Sequence, residues 1–193
     1  LLTEEKTYPT SSLNRLLPHY DFYLDRGISE STLKKFRCGL AMSGKMYQRV
    51  IFPILRQDGR IHGFSGRKVT DDKRPKWLHM GKCSNWFYPF FSIQDIQDAI
   101  IDSGSVHIVE SIGDCISLYE AGVKNVLVSF GLNISPKFIS KLNSLPINKI
   151  YLAFNNDFES DSNRGFQGAI KSIFKLIDII DFENIYFSPP PEN

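Results

Sequence analysis

Hydrophobic residues in the second half of the chain form short continuous runs that alternate with stretches of helical spacing. The runs at residues 106–109 (Val-His-Ile-Val) and 149–154 (Lys-Ile-Tyr-Leu-Ala-Phe) are typical of strands covered on both faces. Residues 93–101 and 115–121 have helical spacing, and the second of these stretches stops before Gly122. Strands that alternate with helices predict an α/β domain.

The same alternation continues to the end of the chain. Further strands are predicted at residues 125–129 and 185–188, and a long helix at residues 168–180. Ser135-Pro136 is an N-cap followed by proline at the first helical position, which predicts a helix that runs to about Leu142. Strands separated by helices in this way predict a four-stranded parallel sheet with right-handed crossovers.

The first half of the chain has a different pattern. Residues 49–55 and 61–65 predict two strands, and the Asp58-Gly59 dipeptide between them predicts a hairpin. A third strand is predicted near Leu78, and Ser29 is a candidate N-cap for a short helix. We therefore expect a mixed α+β domain over residues 1–90 and a Rossmann-like α/β domain over residues 91–193.

Charge is distributed unevenly between these two parts. The whole chain carries a net charge of +2, but residues 1–90 hold sixteen Lys and Arg against eight Asp and Glu, and residues 91–193 hold seven against thirteen. A basic part beside an acidic part suggests that one binds a polyanion and the other binds cations. The alternative is two solvated faces of a stable protein.

Aromatic residues are interleaved with the basic residues of the first part. Phe64, Trp77, Trp86 and Phe87 lie among several lysines and arginines. Such a mixture suits a single nucleic-acid strand, because cations neutralise phosphates and aromatic rings stack on bases. The alternative is that these aromatics belong to a hydrophobic core.

Polar side chains follow two of the predicted parallel strands. Glu110 ends the first, with Asp114 close behind, and Asn155 and Asp157 follow the second. In open α/β sheets the functional groups lie at the carboxyl ends of the strands, so these side chains converge if the two strands are neighbours. An oxygen-rich acidic site of this kind prefers Mg²⁺ or Mn²⁺.

Other classes of site and location are disfavoured. Cys38, Cys83 and Cys115 include no CxxC pair, and the four histidines show no ligand spacing, so we expect reduced thiols and no zinc within this sequence. No apolar run approaches the ~18 residues of a membrane helix, so we expect no membrane partner. Reduced thiols favour a cytoplasmic location. The chain does not start with methionine, and we expect it to be a fragment of a longer protein.

Short motifs occur in a fixed order along nearly the whole chain. They are Tyr23-Leu-Asp-Arg-Gly-Ile28, Arg49-Val-Ile-Phe-Pro-Ile54, Gly63-Phe-Ser-Gly-Arg67, Pro75-Lys-Trp-Leu78, Lys82 with Phe87-Tyr88, Val109-Glu-Ser-Ile-Gly-Asp114 and Phe154-Asn-Asn-Asp157. In this order and spacing, the sequence resembles the catalytic core of bacterial and phage DNA primases. The metal-binding half of that core is a TOPRIM domain.

The resemblance implies roles for individual residues. Glu110, Asp114 and Asp157 correspond to the catalytic carboxylates, and the same residues with Asn155 correspond to the metal ligands. The residues that correspond to the basic groove for template and nucleotide are Arg49, Arg67, Lys76 and Lys82.

The resemblance also implies an activity. It is the metal-dependent synthesis of short RNA primers from ribonucleoside triphosphates on a single-stranded DNA template during replication, in a bacterium or an infecting phage. A replicative helicase is the implied partner, through regions outside this sequence.

Two departures from the family pattern leave alternatives open. Asn155 stands where the family has an aspartate, and Ser111 where it has a glycine. A TOPRIM nuclease or topoisomerase-like enzyme is one alternative, and a degenerate TOPRIM module that only binds DNA or a partner is another. Asp114 could instead serve as a helix N-terminal residue.

Overall fold

The computed structural model of the protein describes residues 6–155 and 164–188. The chain divides into two compact units. The N-terminal unit is Leu1–Trp86 with Phe91–Ile93, and the C-terminal unit is Phe87–Phe90 with Gln94–Asn193.

The N-terminal unit is built on an antiparallel sheet of five strands in the order β1-β2-β3-β4-β5. Two short helices, α1 and α2, lie between β1 and β2 in the chain, and Ser29 caps α2 as predicted. The elements are β1 (Leu16–Leu17), α1 (Asp21–Leu24), α2 (Glu30–Lys35), β2 (Gly39–Ala41), β3 (Arg49–Leu55), β4 (Ile61–Lys68) and β5 (Trp77–Met80).

The predicted hairpin forms the centre of this sheet. The Arg56 N–H donates to the Arg60 carbonyl across 2.9 Å, and Gly59 has φ of +77°, a conformation that favours glycine in a tight turn. Every residue of β3 is buried. Ile51 packs with Met46 in one cluster, and Phe52 contacts the Tyr23 ring at 5.7 Å. Packing of this kind holds the polar side chains of β3 and β4 in fixed positions.

The C-terminal unit is an α/β domain with the predicted parallel sheet of four strands, in the order β7-β6-β8-β9. Neighbouring strands run parallel throughout, which confirms the predicted fold class. The elements are α3 (Gln94–Ser103), β6 (Ser105–Val109), α4 (Ile112–Glu120), β7 (Val126–Val128), α5 (Pro136–Leu142), β8 (Lys149–Ala153), α6 (Arg164–Leu176) and β9 (Ile185–Phe187).

Two helices of this unit begin earlier than predicted. Helix α4 starts directly after Ser111, whose side chain caps it, and α6 starts at Arg164 and ends at Leu176. Both bounds predicted for α6 were wrong by about one turn; the predicted start at Gly168 left out Gly165, because glycine disfavours a helix in isolation. Both glycines are buried in the structure, and tertiary packing outweighs their low propensity.

The described residues contain no helix with both the length and the apolar character that crossing a bilayer requires.

Candidate functional site

The two predicted strands that carry polar residues are neighbours in the sheet. Strand β6 pairs with β8 in parallel register, with Val109 opposite Ala153, so both strands end at the same edge. Glu110 is half-buried and Asn155 is exposed. The Asn155 Nδ2 donates to Glu110 Oε2 at 3.5 Å, the outer limit of a hydrogen bond. The structure therefore brings these two predicted site residues together.

The loop after β7 fixes the backbone on either side of this contact. The Gly131 N–H donates to the Glu110 carbonyl across 3.1 Å, and the Ser129 N–H donates to the Val109 carbonyl across 2.9 Å. The Ser129 hydroxyl also donates to Val109 or to the Gly131 carbonyl, at 2.9 and 2.6 Å. Gly131 has φ of +126°, which side chains rarely adopt. Sequence reasoning did not identify Ser129 or Gly131 as supporting residues.

The Asp114 side chain forms hydrogen bonds at the start of α4. Its Oδ2 accepts from the Ser111 N–H at 3.0 Å and from the Ser111 hydroxyl at 2.8 Å. The Ser111 hydroxyl in turn accepts from the Asp114 N–H, which completes a capping box. The helix-terminal role considered for Asp114 is thus present in the structure, and a Ser-x-x-Asp pattern in the sequence was the signal for it.

Asp157 lies outside the described residues, so its position relative to Glu110 stays a prediction. Within residues 6–155 and 164–188, no three His, Cys, Asp or Glu side chains cluster in a way that could hold a metal ion. The Glu110 carboxylate and the Asn155 side-chain amide do meet at one edge of the sheet, and their oxygens are the ligands that Mg²⁺ and Mn²⁺ prefer. The residues present fit such an ion as a partial ligand set.

Gly165, near the start of α6, lies against the backbone of this site. A Cβ atom at position 165 would clash with the Asn155 carbonyl oxygen. Only glycine therefore allows α6 to approach the end of β8 this closely.

A cavity of about 710 Å³ lies in the N-terminal unit. Its walls come from α1 and the residues just beyond it, from the ends of β3 and β4, and from the segment that leads to β5. Arg67 and Lys76, two of the predicted groove residues, both line it. The charged residues of the lining are His19, Asp21, Asp25, Arg26, Arg67, Lys68, Asp71, Arg74 and Lys76.

Arg49, the third predicted groove residue, is buried, with 2% of its surface exposed. Its Nη2 donates to the Pro75 carbonyl at 2.8 Å, and its Nη1 lies 3.2 Å from the Gly66 carbonyl and 3.4 Å from that of Lys76. Burial lowers the pKa of Arg49, and the charge of Arg74 lowers it further. The guanidinium thus holds the segment before β5 against β4, and we correct its expected role from direct contact with nucleic acid to positioning.

Lys82 and the aromatic residues of this region lie elsewhere. Lys82 is exposed and does not line the cavity. Trp86 and Phe87 are each 2% exposed, which favours the core interpretation for these two rings. Phe64 and Trp77 are half-buried.

Asp72 organises the loop between β4 and β5. Its carboxylate accepts from the Arg74 Nε and Nη2, with distances of 2.7 to 3.1 Å, and from the Thr70 hydroxyl at 2.5 Å. These hydrogen bonds, that of Arg74 first, hold the pKa of Asp72 well below its usual range. Arg74 also donates to the Tyr47 carbonyl at 3.1 Å. Sequence reasoning missed this network, which fixes one wall of the cavity.

Each of the two units contains a stretch that matches a known protein family. The family described as "DNA primase catalytic core, N-terminal domain" matches residues 44–86, and the family described as "Toprim domain" matches residues 104–177. The chain is 30% identical to the DNA primase of Clostridium acetobutylicum, over 83% of this chain and 33% of that protein. It spans about a third of the length of that protein and of the DNA primase of Lactococcus lactis.

Solved structures share the fold. The Aquifex aeolicus primase, comprising zinc-binding and RNA polymerase domains, matches with a TM-score of 0.75 and 21% identity, over 90% of this chain and 49% of that one. A DnaG primase catalytic domain bound to single-stranded DNA matches with a TM-score of 0.69 and 18% identity, over 96% of this chain and 68% of that one.

Proposed function

Because this chain belongs to the family of DnaG-type DNA primase cores, we propose that it joins ribonucleotides into short RNA primers on single-stranded DNA during replication. The observation that carries this proposal is the meeting of Glu110 and Asn155 where the parallel strands β6 and β8 end. This edge of the sheet can hold a hard cation.

We assign the cation to Glu110, Asp157 and Asn155. When bound, Mg²⁺ or Mn²⁺ would neutralise charge on the triphosphate and lower the pKa of the attacking 3′-hydroxyl. Asp114, which the sequence also suggests as a ligand, fixes Ser111 through the capping box and so positions the neighbouring Glu110. Ser129 and Gly131 hold the backbone at the same point.

The N-terminal unit would hold the template. Arg67 and Lys76 line one cavity, and their charges suit the phosphates of a single strand. The DnaG catalytic domain with single-stranded DNA bound supports a strand as the ligand. We propose Lys82 as a further contact, and a replicative helicase as a partner through regions beyond residues 1–193.

Ribonucleotide incorporation on a single-stranded DNA template, with Mg²⁺ or Mn²⁺, tests the proposal. Template-dependent RNA is expected from the whole chain and should disappear in Glu110→Gln, while DNA binding stays nearly unchanged. Glu183→Gln is the matched control, because Glu183 is an exposed carboxylate of the same unit on the turn before β9. A Glu110→Gln variant that still extends primers would sink the assignment.

Asn155 favours a second candidate, a TOPRIM module that binds DNA without catalysis, because an amide oxygen brings no charge to a metal. That candidate predicts no RNA with any metal and no Mn²⁺ site that depends on Asp157. Degradation of the template in the same assay would instead indicate a nuclease.

A further inference from the structure

Helix α6 packs against the rest of the C-terminal unit through one of its sides. Ser172 and Leu176 on this side are buried, and the Ser172 hydroxyl donates to the Leu132 carbonyl at 3.3 Å. The Lys175 Nζ donates to the Ile134 carbonyl at 3.1 Å. These contacts fix the rotation of the helix about its axis, and so decide which of its residues face outwards.

Another side of α6 carries large apolar residues that stay exposed. Phe166, Ile170, Phe174 and Ile177 have 43%, 38%, 69% and 43% of their surface exposed. The Ile177 N–H donates to the Ile173 carbonyl at 3.0 Å, so helical geometry continues to residue 177. At about 100° per residue, these five residues fall within an arc of about 100°, the width of a helix face that packs on a partner.

These five residues, which we call the α6 stripe, form one continuous apolar surface. Given the size of Phe and Ile side chains, their exposed parts amount to about 300–400 Å². An apolar patch of this size on a monomer often marks an interaction site. The Phe166 ring contacts Phe187 with its centroid 5.7 Å away, and this contact orients the ring without covering it.

Charged residues lie along one flank of the α6 stripe in an asymmetric order. Arg164 begins the helix, Lys171 lies near its middle, and Asp178 follows its last turn. Helical geometry places these three residues on the same flank, within about 40° of one another. All three are exposed, and in the part of the chain that the structure describes none of them has an ion-pair partner. The flank is therefore basic at its start and acidic at its end.

We propose that the α6 stripe binds the same stripe of a second copy of this chain, with the two helices antiparallel. A twofold axis through the middle of the stripe places Phe166 opposite the partner's Ile177. The same axis keeps both charged flanks on one side, so Arg164 lies beside the partner's Asp178 at each end. Parallel helices would instead bring like charges together at both ends, so charge complementarity favours the antiparallel pair.

A groove beside the stripe has room for the most exposed ring. A cavity of about 710 Å³ lies along α6, and Leu132, Gln167, Lys171 and Phe174 are among its walls. In the antiparallel pair the partner's Phe174 lies level with Gln167 and Lys171, where it can enter this groove as an aromatic anchor. The two Lys171 side chains lie near the twofold axis, and their repulsion weakens the pair.

Sedimentation velocity of the whole chain over a micromolar concentration series tests the proposal. We expect a reversible dimer with a dissociation constant of about 5–50 µM, because the interface is near the lower size limit of specific interfaces. Phe174→Ser should weaken the dimer about 30-fold or more, because an aromatic anchor is lost from both copies. Phe182→Ser is the matched control, since Phe182 is 70% exposed in the same unit but lies outside α6. It should change the dissociation constant less than about twofold.

Charge reversal tests the orientation of the helices. Arg164→Glu and Asp178→Lys should each weaken the dimer about 5–10-fold, because each places like charges together at both ends. The double variant restores opposite charges across an antiparallel pair, and its dissociation constant should return to within about twofold of the wild-type value. In a parallel pair neither single reversal would matter, since each only exchanges one like-charge contact for another.

Three results would overturn the proposal. They are a chain that stays monomeric through the series, a dimer that Phe174→Ser leaves unchanged, and a double charge variant that fails to recover. Thermal unfolding at low concentration checks that the variants fold, and the exposed charge variants decide the outcome if Phe174→Ser does not. The proposal is independent of primer synthesis, so Glu110→Gln should dimerise as the wild type does even if it makes no RNA.

Discussion

Asn155 donates its side-chain amide to Glu110 across 3.5 Å, from the end of one parallel strand to the end of its neighbour. DNA primases of this family have an aspartate at the position that corresponds to Asn155. Two carboxylates at this distance repel each other unless a cation lies between them. With an amide in that position, the Glu110 carboxylate has a donor and not a second negative charge beside it. Under the proposed assignment, the Asn155 oxygen would turn towards a bound ion.

Asn155→Asp should lower the free energy of unfolding without metal and raise the affinity for Mn²⁺. Without metal we expect a loss of about 0.5–1 kcal/mol in the free energy of unfolding, from like-charge repulsion. Mn²⁺ affinity should rise about tenfold, because each added carboxylate strengthens a hard-cation site. Thermal unfolding with and without Mn²⁺, and calorimetric titration, measure the two effects.

Asn184→Asp adds the same charge to the same unit at a half-buried position before β9, and it should leave Mn²⁺ affinity unchanged. Equal Mn²⁺ affinities for Asn155→Asp and the wild type would show that position 155 is not a ligand.

The Ser111–Asp114 capping box predicts a stability effect that is independent of metal. Ser111→Ala should lower the free energy of unfolding by about 1 kcal/mol, and Ser111→Gly by only a few tenths, since glycine is tolerated at an N-cap. Asp114→Asn should cost about 0.3–1 kcal/mol, because it removes a negative charge near the N-terminus of α4. Chemical unfolding followed by circular dichroism, with a chelator present, measures these differences.

Ser117→Ala is a suitable comparison, because Ser117 is an exposed residue of the same helix whose hydroxyl donates to the Gly113 carbonyl. If Asp114→Asn lowers stability only when Mn²⁺ is present, Asp114 acts as a ligand and not as a cap.

The C-terminal fold was largely predictable because its signals are local. Residues 106–109 and 149–154 are continuous apolar runs, and their alternation with helices predicts a parallel sheet. Which strands are neighbours was left open by the sequence, and the structure pairs β6 with β8. The meeting of Glu110 with Asn155 depends only on that pairing. Strands β1 and β2, with two and three residues, are too short to produce a periodicity, and tertiary pairing alone defines them.

Burial of a charged residue was the least predictable feature. The resemblance implied that Arg49 lines the basic groove, whereas an arginine is rarely buried to this extent unless its donors are satisfied. Its actual position depends on carbonyls at residues 66, 75 and 76, which are distant in sequence. Gly66 supplies the space, since a Cβ there would lie 3.1 Å from the Arg49 Cδ.

Arg49→Lys should therefore destabilise the N-terminal unit despite keeping the charge. A lysine cannot reach the same carbonyls with a planar fork, and the expected loss is about 2–4 kcal/mol in the free energy of unfolding. Both tryptophans, Trp77 and Trp86, lie in this unit, so urea unfolding followed by tryptophan fluorescence reports on it directly.

Arg60→Lys is the matched change at an exposed turn position, and we expect an effect below about 0.5 kcal/mol. If the Arg49→Lys and Arg60→Lys variants unfold at similar urea concentrations, the structural role of Arg49 is wrong. Its predicted role in the nucleic-acid groove would then stand.

His107 predicts how stability depends on pH. Its ring stacks on Tyr151 at 4.7 Å with an angle of 14°, and Tyr151 stacks on Tyr186 at 5.1 Å. Burial lowers the pKa of His107, and hydrogen bonds involving Asn125 only partly oppose this. The unfolded chain then binds a proton that the native chain does not, so the free energy of unfolding falls as pH drops below about 6.5.

His107→Phe keeps an aromatic ring in the stack and removes the titrating group, so it should lose less stability than the wild type between pH 7.5 and 5.5. The pKa of His79 is also lowered by burial, so some dependence should remain in the variant. Urea unfolding at the two pH values measures this. Identical pH dependence in variant and wild type would exclude His107 as a contributor.

Glycine at position 165 indicates the backbone shape of the site, independently of its catalytic residues. Because a Cβ at this position would clash with the Asn155 carbonyl oxygen, a larger residue there must displace either the start of α6 or the end of β8. Chains of this type that lack glycine at the equivalent position should therefore have a remodelled strand end, whatever residues they carry at positions 110 and 155. The glycine thus offers a criterion for sorting related sequences by the shape of the site before any is assayed.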